Sequence, residues 1–188
     1  MTRFVLPTRR GRLPNDAVSL TPEHLHLALN HIPFLGAGFA LIPLLFGLFL
    51  RNRSTVIAGL VIAVVSGWVT PLVMESGESA YKRYKKGPVA AYLDPQAKEY
   101  LEVHEHRAED WAKILYANAV ITTLGLIALL WKPRWIRRTA LLASLSCLAA
   151  LLAGIWIAES GGLIRRPDFR ATDAAVVGET SQGHSEDD

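Results

Sequence analysis

The sequence predicts an all-α integral membrane protein, an up-down bundle of four helices, and three observations carry that expectation. Hydrophobic residues make up 51% of the 188 and charged residues only 20%, with a mean hydropathy of +0.23, a balance too apolar for an ordinary soluble domain. The excess is gathered into four nearly uncharged blocks, 34–50, 55–74, 114–131 and 139–158, each close to the ~20 residues that cross a bilayer core. The connections 51–54 and 132–138 are so short that each pair of flanking blocks must form an antiparallel hairpin. The length admits a single domain, divided into a polar N-terminal tail (1–21), a transmembrane domain (22–171) and an acidic tail (172–188), predicted to be disordered because it is polar and poor in aromatics.

Taken in order, the N-terminal tail carries Arg3, Arg9, Arg10 and Arg12 but lacks the apolar run of a cleavable signal peptide. Thr21, Pro22 and Glu23 read as an N-cap, a proline at the first helical position and an acid in the first turn. A helix from there to Leu50 is about 29 residues and ~43 Å long, overshooting the hydrocarbon core. Its projecting part bears His24, His26 and His31, and Pro33 and Pro43 are candidate kinks. Helix 2 is expected to end near Glu75, Ser76 and Gly77. Asp94 and Pro95 cap a third helical pattern of about 37 residues, ~55 Å, ending at Trp131. Trp111 and Trp131 resemble the aromatic belts of two membrane interfaces, so 95–110 is expected to stand outside the bilayer. Helix 4 is expected to close on Glu159, Ser160, Gly161 and Gly162.

The hairpins look like copies. His24-Leu25-His26 stands 25 residues before Arg51 and His104-Glu105-His106 stands 25 before Trp131; both halves then turn on basic residues and close on Glu-Ser-Gly. Duplicated hairpins would be related by a pseudo-two-fold axis along the membrane normal.

Alternating spans put five of the six histidines at one membrane face, together with Glu75, Glu78 and Glu159. An acid at a helix C-terminus is unfavourable by about 0.3 to 1 kcal/mol, yet both hairpins end on one. Helical phase sorts the ligands. His104 shares a stripe with Ala97, Leu101, Ala108, Trp111 and Leu115 and points inward, whereas His106, rotated by about 200°, falls with Glu102, Glu109, Asp110 and Lys113 on the wet side. On helix 1, His24 and His31 share a face and His26 joins Asn30 on another. Helices 1 and 3 are diagonal, about 14 Å apart if neighbours lie about 10 Å apart, so direct contact between their histidines is not expected. A flat cofactor fits that gap. The expected group is a b-type haem, with His104 opposed to His31 or His24 and a candidate ligand set of His24, His26, His31, His104 and His106. The competing chemistry is one transition-metal ion held by His31, His104, Glu75 and Glu159, since imidazole suits zinc, copper, iron and nickel.

Several classes are excluded. The single cysteine, Cys147, permits neither an intrachain disulfide nor a cysteine-based metal site. There is no phosphate-binding loop, dinucleotide fingerprint or nucleophile elbow. A net charge of +3 resides in the loops, where topology demands it, so nucleic acid is not a predicted partner. No acid or base sits near the midplane of any span, which argues against an ion pump. Asn118, Thr122 and Thr123 are expected to hydrogen-bond to neighbouring helices, and the basic run Tyr81 to Lys86 reads as an interfacial anchor.

The segment His26-Leu-Ala-Leu-Asn-His31-Ile-Pro33 resembles the H-x4-H-[FI]-P signature of a family of small, uncharacterised four-helix bacterial membrane proteins. That family has a second histidine before its third span, matched by His104 or His106, and a G-G-x-[LI] segment after the fourth, matched by Gly161, Gly162 and Ile164. Some relatives continue with I-R-H-P-E; here the run is Ile164-Arg165-Arg166-Pro167-Asp168, so Arg166 stands in place of that histidine. The resemblance implies a haem- or quinone-linked redox module in a bacterial cytoplasmic membrane. The expected partners are the bilayer, a membrane redox complex or quinone, and further copies of the chain. The arginine-rich tail favours cytoplasmic termini. The alternative function is a cofactor-free anchor or assembly subunit of a larger complex.

Overall fold

A computed structural model describes residues 20–87, 91 and 93–170; the tails 1–19 and 171–188 lie outside the described residues. The helices are α1 (Pro22–Leu29), α2 (Ile32–Leu50), α3 (Arg53–Gly67), α4 (Thr70–Lys86), α5 (Pro95–Trp131) and α6 (Ile136–Arg165), with a 3₁₀ turn at Pro133–Trp135 before α6. They make four spans, each long and apolar enough to cross a membrane: α1 with α2, α3 with α4, α5, and the 3₁₀ turn with α6. Span 1 packs against spans 2 and 4, and span 3 against the same two.

Two spans are broken, each for the same reason. Proline lacks an N–H and its ring crowds the carbonyl four residues earlier. α1 stops at Leu29, four residues before Pro33, and α3 stops at Gly67, four before Pro71. Pro43 lies within α2 without interrupting it. Helices 2 and 4 run past their expected ends, to Lys86 and Arg165. Glu-Ser-Gly is therefore inside each helix rather than at its end. The continuation of α4 is a charged turn held from both sides, Arg83 on Glu23 at 2.5 Å and Lys85 on Glu102 at 3.3 Å. α5 spans 37 residues without a break, as its pattern predicts.

Packing is inverted relative to a soluble bundle. Small residues fill the interior, among them Ala37, Ala40, Ala63, Ala119, Ala143 and Ala150, while Phe39, Phe46, Phe49, Leu124 and Leu142 face outward. Gly59 lies against Leu44, Gly67 against Ala119 and Gly154 against Phe34. Such close approach of backbones is how helices associate when the surrounding solvent is as apolar as leucine. Asn118 accepts a hydrogen bond from Ser146 on α6, and Trp68 Nε1 donates to Thr123 at 3.0 Å. Thr122 instead bonds to carbonyls of its own helix.

The turn end is closed. α2 and α3 are joined through Arg51, the one non-glycine residue with positive φ (54°) among those described, and Asn52, whose side chain caps α3 at 3.1 Å. Arg53 Nη2 donates to the carbonyls of Leu129 and Leu130 at 3.3 and 3.4 Å, satisfying the C-terminus of α5.

Candidate functional site

At the opposite end two histidines meet across the bundle. His26 of α1 and His104 of α5 place their ring centroids 6.3 Å apart, nearly perpendicular at 78°. His26 Nδ1 lies 3.0 Å from the Val73 carbonyl on α4. His104 Nδ1 lies 3.0 Å from the Ile157 carbonyl on α6 and 3.1 Å from Ser160 Oγ. A carbonyl only accepts, so each Nδ1 carries the proton. In the neutral ring that leaves Nε2 as the lone-pair nitrogen.

The diagonal is crossed because each ring lies on a glycine. Gly77 follows Val73 by one turn, and a Cβ there would fall 2.8 Å from His26 Cε1; Gly161 follows Ile157 by one turn, and its Cβ would fall 3.1 Å from His104 Cε1. Removing that carbon lets an imidazole lie on the backbone and reach the carbonyl below it. Ser76 and Ser160, both buried, bond back to Val73 and Ile157 in the same manner. The glycines of the Glu-Ser-Gly repeat are therefore the floor on which the two rings lie. The halves correspond through His26 with His104, and through Val73, Ser76 and Gly77 with Ile157, Ser160 and Gly161, a register two residues away from the pairing of the two His-x-His motifs by their distance to the turns.

The pair lines a cavity of about 760 Å³ open toward the end of the bundle. His31, exposed at the kink with its ring 5.6 Å from Phe34, lies on its rim, and so do Glu75, Glu78, Glu105 and Glu109. His24 is exposed and hydrogen-bonded locally to Thr21 Oγ1 at 3.1 Å. His106 faces outward, within ligand distance of Glu105 and Glu109. Glu159 is absent from the cavity wall. It pairs with Arg107 at 2.9 Å, whose guanidinium stacks on Trp156 at 3.8 Å. The sequence-derived set is thus divided: His26 and His104 come together, His31 and Glu75 stand around them, and His24, His106 and Glu159 point elsewhere.

Sequence reasoning missed Asn30, Gly77 and Gly161. Asn30 lines the cavity and its Oδ1 is buried with no partner among the described residues, so a group in the cavity is its natural donor. A signal for the glycines was present in their spacing from the repeated serines. At the entrance, Asp94 caps α5 by accepting from Ala97 N at 2.7 Å and holds buried Arg170 at 2.9 Å; the Ala97 amide and then the Arg170 guanidinium keep its carboxyl below the ordinary carboxylate range. Comparison of the sequence with family models and curated proteins, and of the fold with solved structures, returns no match.

Proposed function

We propose that this chain is a membrane redox protein whose His26 and His104 are the axial ligands of a b-type haem. One observation carries the reading: two diagonal helices each contribute an imidazole, each oriented by an Nδ1–H bond to a backbone carbonyl, with ring centres 6.3 Å apart on the wall of one cavity. Metal-ligating histidines commonly donate the other ring N–H in this way, which fixes the tautomer and raises ligand basicity. Metal–imidazole bonds of ~2.0–2.1 Å put two opposed nitrogens about 4 Å apart, compatible with rings whose centres lie 6.3 Å apart.

When bound, the haem supplies one-electron chemistry. His26 and His104 would hold its iron, and the Nδ1–H bonds to the Val73 and Ile157 carbonyls keep their rings from rotating, one of the levers that set a haem potential. With both axial positions filled by protein, the reading is electron transfer rather than oxygen activation. It places the chain in a bacterial cytoplasmic membrane with cytoplasmic termini, and makes a quinone or a membrane redox complex its electron partner.

The test is the absorption spectrum of detergent-purified protein from haem-supplemented cells, oxidised and then dithionite-reduced. Sharp low-spin bands on reduction are expected. A preparation with no Soret absorbance overturns the reading.

A further inference from the structure

The cavity wall is charged differently according to the spans that form it. Spans 1 and 4 are neighbours, as are spans 2 and 3. Spans 1 and 4 bring Asn30, His31 and Arg165 to the cavity wall; their one carboxylate there among the described residues, Glu23, is held by Arg83. The corresponding positions on spans 2 and 3, in the register that matches His26 with His104, are Ala108, Glu109 and Tyr81, which line the cavity together with Glu75, Glu78 and Glu105. Spans 1 and 4 therefore present a guanidinium, an imidazole and an amide, and spans 2 and 3 present carboxylates.

We infer that the planar group between the imidazoles is held in one orientation, its carboxylate-bearing edge toward spans 1 and 4 and bound there by Arg165. This rests on the haem reading above and names the residue that orients the group. Arg165 has no carboxylate partner among the described residues. Its neighbour Arg166 does not compete, because it is engaged by Asp168 at 2.6 and 3.0 Å. A carboxylate placed instead between spans 2 and 3 would meet Glu105 and Glu109, neither of them paired with a cation, and like charges at such range repel.

The test reconstitutes the full-length apoprotein in detergent with ferric protoporphyrin and with its dimethyl ester, whose edge is uncharged. In the wild type the ester is expected to bind about tenfold more weakly, the scale of one charge-assisted hydrogen bond. Arg165→Gln is expected to weaken the free acid to the level of the ester and to leave the ester unaffected, while Glu105→Gln preserves the wild-type preference. Equal affinity of the wild type for both porphyrins, or an undiminished preference in Arg165→Gln, overturns the orientation while leaving the axial pair intact. Absence of a low-spin spectrum with either porphyrin overturns the haem reading, and this inference with it.

Discussion

His26 rides on an eight-residue helix that buries none of its residues and stops at Leu29, whereas His104 is the tenth residue of an unbroken helix of 37. Both rings reach a carbonyl beside a glycine, but only His104 also meets a serine hydroxyl. Around His104 the chain is braced: Asp94 ties the start of α5 to Arg170, and Arg107 ties α5 to Glu159 on α6. Around His26 one pair, Glu23 with Arg83, ties α1 to α4, but the chain is jointed, with breaks before Pro33 and Pro71. The same imidazole-to-carbonyl geometry is thus built once on a rigid post and once on a hinged one. This teaches that the second hairpin sets the position of the site and the first closes on it, since a short helix with no buried residue has little packing of its own to fix it.

The comparison breaks most visibly at the glycines. In Gly77→Ala the added carbon meets the His26 ring at 2.8 Å, and in Gly161→Ala it meets the His104 ring at 3.1 Å. Gly77→Ala should therefore displace its imidazole, weakening haem binding more than tenfold with little change in thermal stability, because the obstructed atom is a ring edge and not backbone. Gly161→Ala should weaken binding less. Titration of both apoproteins with haem, alongside melting curves in detergent, measures the difference; a larger loss at Gly161 would show that the rigidity of α5 outweighs the closer approach at Gly77 and would contradict this ranking.

A middle-sized effect is expected from the brace at Asp94. Its pKa is lowered in the folded protein, so the stability it contributes is present above its unfolded value, ~3.9, and is lost as pH falls through the lower folded value. Asp94→Asn should remove that acid-dependent part of the stability curve and loosen the second half, leaving stability at neutral pH less dependent on Arg170. Melting temperatures of wild type and variant between pH 7 and pH 3 check it; parallel curves would dismiss the brace.

The smallest effect belongs to Glu159. Its pair with Arg107 is exposed on the surface of α5 and α6, and such pairs are worth about 0–1 kcal/mol. Glu159→Gln and His106→Ala should both leave the haem spectrum unchanged and shift stability only slightly, sharpening the boundary between the site and its surroundings.

The spans and both hairpins were legible in the sequence because bilayer thickness and short turns leave one solution, and the inward phase of His104 was legible because α5 is regular. His26 was misplaced because phase counted along helix 1 assumes a continuous helix, and Pro33 interrupts it before His31. The meeting of His26 with His104 was hidden for another reason. Average interhelix spacing does not anticipate that Gly77 and Gly161 remove the side chains that would hold the rings apart. Glu-Ser-Gly was read as a terminus because the apolar run stops there and glycine commonly closes a helix; here the glycine is a contact surface and the helix continues into charged turns.

The central claim is that each hairpin supplies one ligand to a shared centre, and single-histidine substitution tests it most directly. Reduced-minus-oxidised spectra of five purified variants, His24→Ala, His26→Ala, His31→Ala, His104→Ala and His106→Ala, should show the low-spin bis-imidazole bands lost in His26→Ala and His104→Ala and kept in the other three. Retention of those bands in either His26→Ala or His104→Ala, or their loss in His31→Ala with His26→Ala unaffected, would contradict it.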